Sequence, residues 1–204
     1  MIVMHHLRVG RAIFTTWLLE ELGVEYELKL YDRTKQGRAP AELKAAHPLG
    51  KSPVIEDAGV TLAESGAITT YLLETYDPDG TFSPPVSDTA ARMKYLQWLH
   101  YSEASAFAPL LMNMLLMRED PKPPVISAFT AAEVKLHLDY FSDALGDQNF
   151  ILGDKFSGAD IGCGFIANLA EKFGLTGNHP NIAAYIARLR ARPAFVRALD
   201  KTGR

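Results

Sequence analysis

Apolar and polar positions follow two rhythms along this chain. Up to about residue 76, short apolar runs of strand character alternate with helical stretches. The strand-like runs cover residues 1–5, 26–31, 53–56 and 60–62. Asp57-Ala58-Gly59 separates the last two and predicts a hairpin turn. Thr15, Leu18, Leu19 and Leu22 fall at i, i+3, i+4 and i+7, one face of a helix, and Gly23 predicts its C-terminal stop. A short helix is expected over residues 40–46. Another follows Glu64, with Ile68, Tyr71, Leu72 and Thr75 on one stripe. The order β-α-β, short helix, β-β-α describes an α/β layer with a mixed sheet.

Residues 77–88 hold three prolines and a glycine and read as a linker. From residue 89 onward only helical periodicity remains. One long helix is expected over 89–117, followed by a break at Pro121, Pro123 and Pro124. A second carries Val134, Leu138, Phe141 and Leu145. A third begins at Ser157, whose hydroxyl can cap the helix while Asp160 returns the bond, with Phe156 and Ile161 as the flanking apolar staple. A fourth carries Ile182, Tyr185, Ile186 and Leu189 and stops before Pro193. The expected organisation is an α/β domain over 1–76, a linker over 77–88 and an all-helical domain over 89–204.

Composition narrows the chemistry. The chain has 204 residues, 21 Lys+Arg against 24 Asp+Glu, and 48% hydrophobic residues, so it reads as an ordinary globule. A net charge of −3 argues against a nucleic-acid surface, and no run of 18 apolar residues suggests a membrane span. The N-terminus lacks a signal-peptide pattern, so the cytoplasm is the expected compartment. With a single cysteine, Cys163, there is no internal disulfide, no cysteine-rich zinc site and no Cys-x-x-Cys pair. No metal is expected. Cys163 sits between two glycines inside the third helix and reads as a buried structural thiol.

Two short segments carry candidate binding chemistry. Ser52-Pro53 enters a strand. If that bond is cis, the turn would present the Val54 backbone to a peptide ligand; a trans edge proline is the alternative. Ala63-Glu64-Ser65-Gly66 places an acid and a hydroxyl at a helix start, where free N–H groups favour an anion. Together they suit an α-amino acid head, though taken alone Glu64-Ser65 is only a helix cap.

These segments, taken in order, resemble the cytosolic glutathione S-transferase family. His47-Pro48-Leu49-Gly50-Lys51-Ser52-Pro53-Val54 looks like the family's proline turn. Leu62-Ala63-Glu64-Ser65-Gly66-Ala67-Ile68 looks like its Glu-Ser helix start. Trp17-Leu18-Leu19-Glu20-Glu21-Leu22-Gly23 looks like its first helix. Residues 153–161 are similar to the capping-box segment of its helical domain. The resemblance implies a thioredoxin-like N-terminal domain, a helical C-terminal domain, a homodimer, and glutathione as cosubstrate. By carry-over, the Val54 backbone would pair with the cysteinyl part of glutathione across Pro53, beside Ser52. Glu64 and Ser65 would hold the γ-glutamyl head, and Lys51 with His47 would face the glycyl carboxylate. The implied activity is addition of the glutathione thiolate to a small hydrophobic electrophile, of the detoxifying kind.

The thiolate position departs from the family. A thiol begins near pKa 8.5, and lowering it by two units takes about 2.7 kcal/mol of preferential thiolate stabilisation. A similar bacterial and fungal branch carries Ser-Arg-Ser where this chain has Gly10-Arg11-Ala12, and residues 5–12 contain no Ser, Cys or Tyr. What remains is the Arg11 charge, the N–H groups of Gly10–Ala12 at a helix start, and His5, which aligns with the tyrosine of tyrosine-type members. Arg11 is alternatively a solvated arginine and His5 a core histidine. Thr15 and Thr16 lie a turn further into the helix. Of the aromatic and methionine positions on the 89–117 helix, Tyr101, Phe107 and Met112 are the expected electrophile-pocket residues, with core or dimer interface as the other reading. The missing hydroxyl keeps two rivals in view: a glutathione-binding protein of ligandin type, and another glutathione-dependent reaction such as ether cleavage, dehalogenation or disulfide reduction.

Overall fold

The computed structural model describes residues 1–203. They divide into two compact units. One comprises Met1–Phe82 together with the chain from Arg190 onward, and the other comprises Ser83–Leu189.

The first unit is built on a four-stranded sheet of β1 (Ile2–Leu7), β2 (Tyr26–Tyr31), β3 (Val54–Asp57) and β4 (Val60–Ala63). Its order is β2-β1-β3-β4, with β1 parallel to β2 and antiparallel to β3, and β3 antiparallel to β4. This is the mixed sheet expected from the sequence. β1 is central and its side chains are buried almost throughout, as a near-continuous apolar run requires. The β3–β4 hairpin turns through Ala58 and Gly59, both at positive φ (48° and 80°), the two-residue turn whose twist matches the strands.

Helices α1 (Ala12–Leu22), α2 (Leu43–Ala46) and α3 (Ser65–Tyr76) complete the α/β order. Gly23 ends α1 in the left-handed conformation at φ 65°. The apolar stripe of α3 is rotated from the expected one. Ile68, Thr69, Leu72 and Leu73 are buried, while Thr75 is exposed. Tyr71 turns its hydroxyl toward Asp57, 2.8 Å away, and Tyr76 bonds the same carboxylate.

The helical unit contains α4 (Thr89–Tyr101), α5 (Phe107–Leu116), α6 (Pro124–Leu145), α7 (Gly158–Lys172) and α8 (Pro180–Arg190). The single helix expected over 89–117 is interrupted by a π-helical turn at Ser102–Ala106. That turn meets α7 where Gly162 lies. A Cβ on Gly162 would sit 2.2 Å from the Ser102 hydroxyl, so only glycine fits. Cys163 beside it is buried, and desolvation pushes its thiol well above the ordinary range.

The start of α7 is organised around Asp160, which is fully buried. Its carboxylate accepts from the Ser157 N–H (2.8 Å) and hydroxyl (2.9 Å), from the Ile151 N–H (2.9 Å) and from the Tyr185 hydroxyl (2.8 Å). The capping segment read in the sequence is thus the centre of a network joining α7, α8 and the preceding loop.

A ninth helix, α9 (Pro193–Thr202), was not expected from the pattern, and it packs on α1 in the first unit. An apolar face and charge together hold it: Ala194, Phe195 and Ala198 are buried, and the Phe195 ring meets Trp17 edge-on at 5.1 Å. Glu20 of α1 bonds Arg197 (3.0 Å), Lys201 and the Tyr26 hydroxyl (2.6 Å), while Glu21 takes both Arg192 nitrogens, at 2.5 and 2.9 Å. The α/β unit therefore includes residues from the end of the chain, beyond the 1–76 expected for it. The boundary between the units falls at Phe82 and Ser83, inside the proline-containing stretch.

Candidate active site

Strand register assembles the site. Leu7 pairs with Tyr31, His5 with Val54, and Val54 with Ala63. The end of β1, the end of β2, the start of β3 and the end of β4 therefore share one end of the sheet. Segments 8–12, 51–53 and 64–65, far apart in sequence, meet there.

The Ser52–Pro53 bond is cis. Val54, however, is fully buried between His5 on one side and Ala63 on the other. It is paired within the sheet on both sides, to β1 and to β4. The expectation that Val54 offers its backbone to a ligand is withdrawn, because the residue is interior to the sheet. The accessible backbone of this turn belongs to exposed Lys51 and half-buried Ser52. The Ser52 side chain is committed elsewhere: its hydroxyl donates to the His5 carbonyl at 2.7 Å and accepts from the Leu7 N–H at 3.1 Å. Ser52 fastens the proline turn to β1, and Pro53 is buried behind it.

His5 is 2% exposed, and both ring nitrogens are engaged. Nε2 donates to Glu56 at 2.7 Å, and Nδ1 pairs with the Tyr31 hydroxyl at 2.8 Å. No ring nitrogen is left for a sulfur, so His5 is a satisfied core histidine. His6 points to the opposite face, as strand alternation requires. It meets the Thr16 hydroxyl at 2.9 Å, and that hydroxyl donates to the Ala12 carbonyl. Burial, and then the nearby Arg8 charge, push the His6 pKa down to about 4.

Arg11 stands at the N-cap of α1, half-buried, with no capping side chain on the helix start. The Phe14 N–H turns back to the Arg11 carbonyl at 3.0 Å, and this helix start follows β1 at the shared sheet end. Val9, two residues earlier, adopts φ 58° while 76% exposed, unusual for a β-branched residue.

Glu64 is exposed and sits at φ 72°, ψ 112°, a conformation that side-chain-bearing residues avoid. It precedes Ser65, the first residue of α3. Backbone strain of this kind is held in place by surrounding structure and concentrates at functional positions. His47 is half-buried, and its Nδ1 accepts from the Leu49 N–H at 3.4 Å.

In the helical unit, Tyr101, Phe107 and Met112 are each half-buried. Tyr101 and Phe107 flank the π-helical turn. The Tyr101 hydroxyl bonds the His137 carbonyl (3.0 Å) and Nδ1 (3.1 Å), and burial pushes its ionisation upward. The Phe107 ring packs on Phe165 at 5.7 Å. Among the described residues no three His, Cys, Asp or Glu side chains are placed to hold a metal ion, and no helix is long and apolar enough to cross a membrane.

Residue types alone do not point to one further member of the site region. Arg33, in the β2–α2 connection, donates to the Val9 carbonyl at 2.8 Å. It was missed because nothing in its local sequence marks it; only the parallel pairing of β1 with β2 brings it there.

Family models agree with this picture. Residues 1–74 match the glutathione S-transferase N-terminal domain, and residues 108–193 match the C-terminal domain. The chain is 35% identical to glutathione S-transferase 3 of Schizosaccharomyces pombe, over 98% of this chain and 88% of that protein. A crystal structure of a glutathione S-transferase from Actinobacillus pleuropneumoniae superposes with a TM-score of 0.91 at 36% identity, covering 99% of this chain and 93% of that one. A glutathione transferase from Phanerochaete chrysosporium, solved in complex with oxidized glutathione, superposes with a TM-score of 0.83 at 25% identity, covering 98% and 96%.

Proposed function

This chain belongs to the glutathione S-transferase family, and we propose that it binds glutathione, holds it as the thiolate and adds it to a small hydrophobic electrophile. The observation that carries this reading is the convergence of three segments at one sheet end: the open helix start at Gly10–Ala12, the cis-proline turn with Lys51, and the strained Glu64 before Ser65.

Each part has a chemical task. Glu64 accepts from the ammonium of the γ-glutamyl head, and Ser65 with the first N–H groups of α3 takes its carboxylate. Lys51, with His47, meets the glycyl carboxylate. The cysteinyl backbone lies along the Lys51–Pro53 turn rather than along Val54. Its sulfur then faces the start of α1, where the helix dipole and the Arg11 charge favour the thiolate. Proximity and electrostatics are the protein's contribution, and the attacking atom comes from the cosubstrate. Tyr101, Phe107 and Met112 supply apolar surface for the electrophile. By family likeness the protein acts as a cytoplasmic homodimer without a metal.

The withdrawal of His5 bears on a second reading. With no hydroxyl over residues 5–12, and with His5 engaged by Glu56 and Tyr31 and His6 by Thr16, thiolate stabilisation rests on Arg11 and backbone amides. This favours, as the rival, a glutathione-binding protein of ligandin type with little transferase activity. Titrating the thiolate absorbance of bound glutathione divides the two. The transferase reading expects a midpoint near 6.5, about two units below the free thiol, and a rise in that midpoint on Arg11→Ala. A bound thiol that titrates like the free one selects the binder.

A further inference from the structure

Arg33 grips the loop that leads from β1 into α1. Its Nη2 donates to the Val9 carbonyl at 2.8 Å, and its Nε donates to the carbonyls of Val9 and Arg8, each at 3.2 Å. Its Nη1 donates to the Gly37 carbonyl at 2.9 Å. That second anchor is a closed, hydrogen-bonded turn. The Thr34 N–H bonds the Arg38 carbonyl at 2.8 Å, the Gly37 N–H bonds the Thr34 carbonyl at 2.8 Å, and Gly37 sits at φ 73°. One planar guanidinium thus bridges a closed turn and the loop before α1.

The loop depends on such a clamp. Val9 is held at φ 58° yet is 76% exposed, so its side chain has little packing to keep it there. Gly10 lies directly against the guanidinium: a Cβ on Gly10 would be 3.2 Å from Nη2. The peptide bond between Val9 and Gly10 is planar and trans, so fixing the Val9 carbonyl fixes the Gly10 N–H in the opposite direction. Arg33 therefore dictates where the first amide of the helix-start group points.

We propose that Arg33 is a positioning residue for thiolate activation, aiming the Gly10 N–H at the glutathione sulfur by holding the Val9 carbonyl on the far side of the peptide plane. The proposal rests on the reading that the amides of Gly10–Ala12 face the sulfur. It assigns to a backbone donor the task that a Ser, Tyr or Cys side chain performs elsewhere in the family. Arg33 is specific in this role because its fork spans two carbonyls about the width of a guanidinium apart, which a single ammonium does not.

The test compares Arg33→Ala and Arg33→Lys with the unaltered chain by three readouts: the pKa of bound glutathione thiol, the Kd for glutathione, and peptide-level hydrogen exchange over residues 7–14 and over α7. Arg33→Ala is expected to raise the bound-thiol pKa by about one unit, a tenfold change in the ionisation constant, while Kd moves by less than about threefold. Exchange over 7–14 should quicken, while exchange over α7 and over α3, which belongs to the same unit as Arg33, should stay unchanged, which establishes that the variant is folded. Arg33→Lys should raise the thiol pKa as well, because it keeps the charge but loses the bridge. A thiol pKa that stays low in Arg33→Ala, or one fully retained in Arg33→Lys, overturns the positioning role while leaving the transferase reading intact. A bound thiol that already titrates like free thiol in the unaltered chain overturns both.

Discussion

The Glu56 carboxylate lies 2.7 Å from Nε2 of His5, and this contact together with the Tyr31 hydroxyl engages both ring nitrogens of the histidine. Replacing His5 with Ala should therefore act on stability and not on the sulfur. It leaves a part-buried hydroxyl and carboxylate short of a partner, which costs about 1–3 kcal/mol. Urea unfolding should show that loss, and the pKa of bound glutathione thiol should be the same as in the unaltered chain. A shifted thiol pKa would return His5 to the site.

Glu64 offers a test in which stability and binding move in opposite directions. At φ 72° a glycine is more comfortable than a glutamate. Glu64→Gly should relieve strain of about 1 kcal/mol or more and so raise Tm, although part of the gain is offset by the freer unfolded chain. Glutathione affinity, measured by calorimetry, should fall at the same time because the ammonium acceptor is lost. Ser65→Ala should lower affinity with little change in Tm. Unaltered affinity in both variants would refute the γ-glutamyl clamp.

His6 ties stability to pH. Its ordinary value of 6.5 falls to about 4 in the folded chain, first through burial and then through Arg8. Between those values the unfolded chain binds a proton that the folded chain does not. Stability is therefore complete above about pH 6.5 and declines as pH falls toward 4, by about 1.4 kcal/mol per unit for this one group. Denaturant unfolding across pH 4.5–7 should show the slope. His6→Asn should flatten it, at some cost from lost packing against Thr16.

The α1–α9 clasp makes a separate prediction. Burial alone would raise the Glu20 pKa, but hydrogen bonds from Lys201, Tyr26 and Arg197 outweigh it and hold the carboxylate below its ordinary value. Its contribution is therefore present above about pH 4.5 and lost as pH falls through the lowered value. Glu20→Gln leaves Arg197 and Lys201 facing a neutral amide. Both are half exposed, so water compensates part of the loss, and the expected cost is about 1–3 kcal/mol. Proteolysis should then cut first within α9, and exchange over α7 in the other unit should be unaffected.

Local pattern was enough for most elements and for the family. The 3.6-residue spacing of Val134, Leu138, Phe141 and Leu145 and the Ser157–Asp160 cap are statements about neighbouring residues, and they survive folding because near-neighbour geometry creates them. The Glu-Ser helix start and the proline turn were legible for the same reason. Two local features were not. α9 docks by burying Phe195 against Trp17 and by bonding Glu20, each more than 170 residues earlier, and the π-helical turn lies where Gly162 of another helix approaches Ser102.

The sequence alone determined which residue types stand between β1 and α1: Arg11, backbone amides, two histidines, and no Ser, Tyr or Cys over residues 5–12. Tertiary structure decided how the histidines and the strand residues are engaged. Strand alternation turned His5 toward Glu56 and His6 toward Thr16. Pairing on both edges closed Val54 inside the sheet. The parallel register of β1 and β2 brought Arg33 onto the Val9 carbonyl. Each of these depends on partners that lie in another element of the fold, from 9 to 51 residues away, and a buried polar group satisfied by such a partner is no longer available to a ligand.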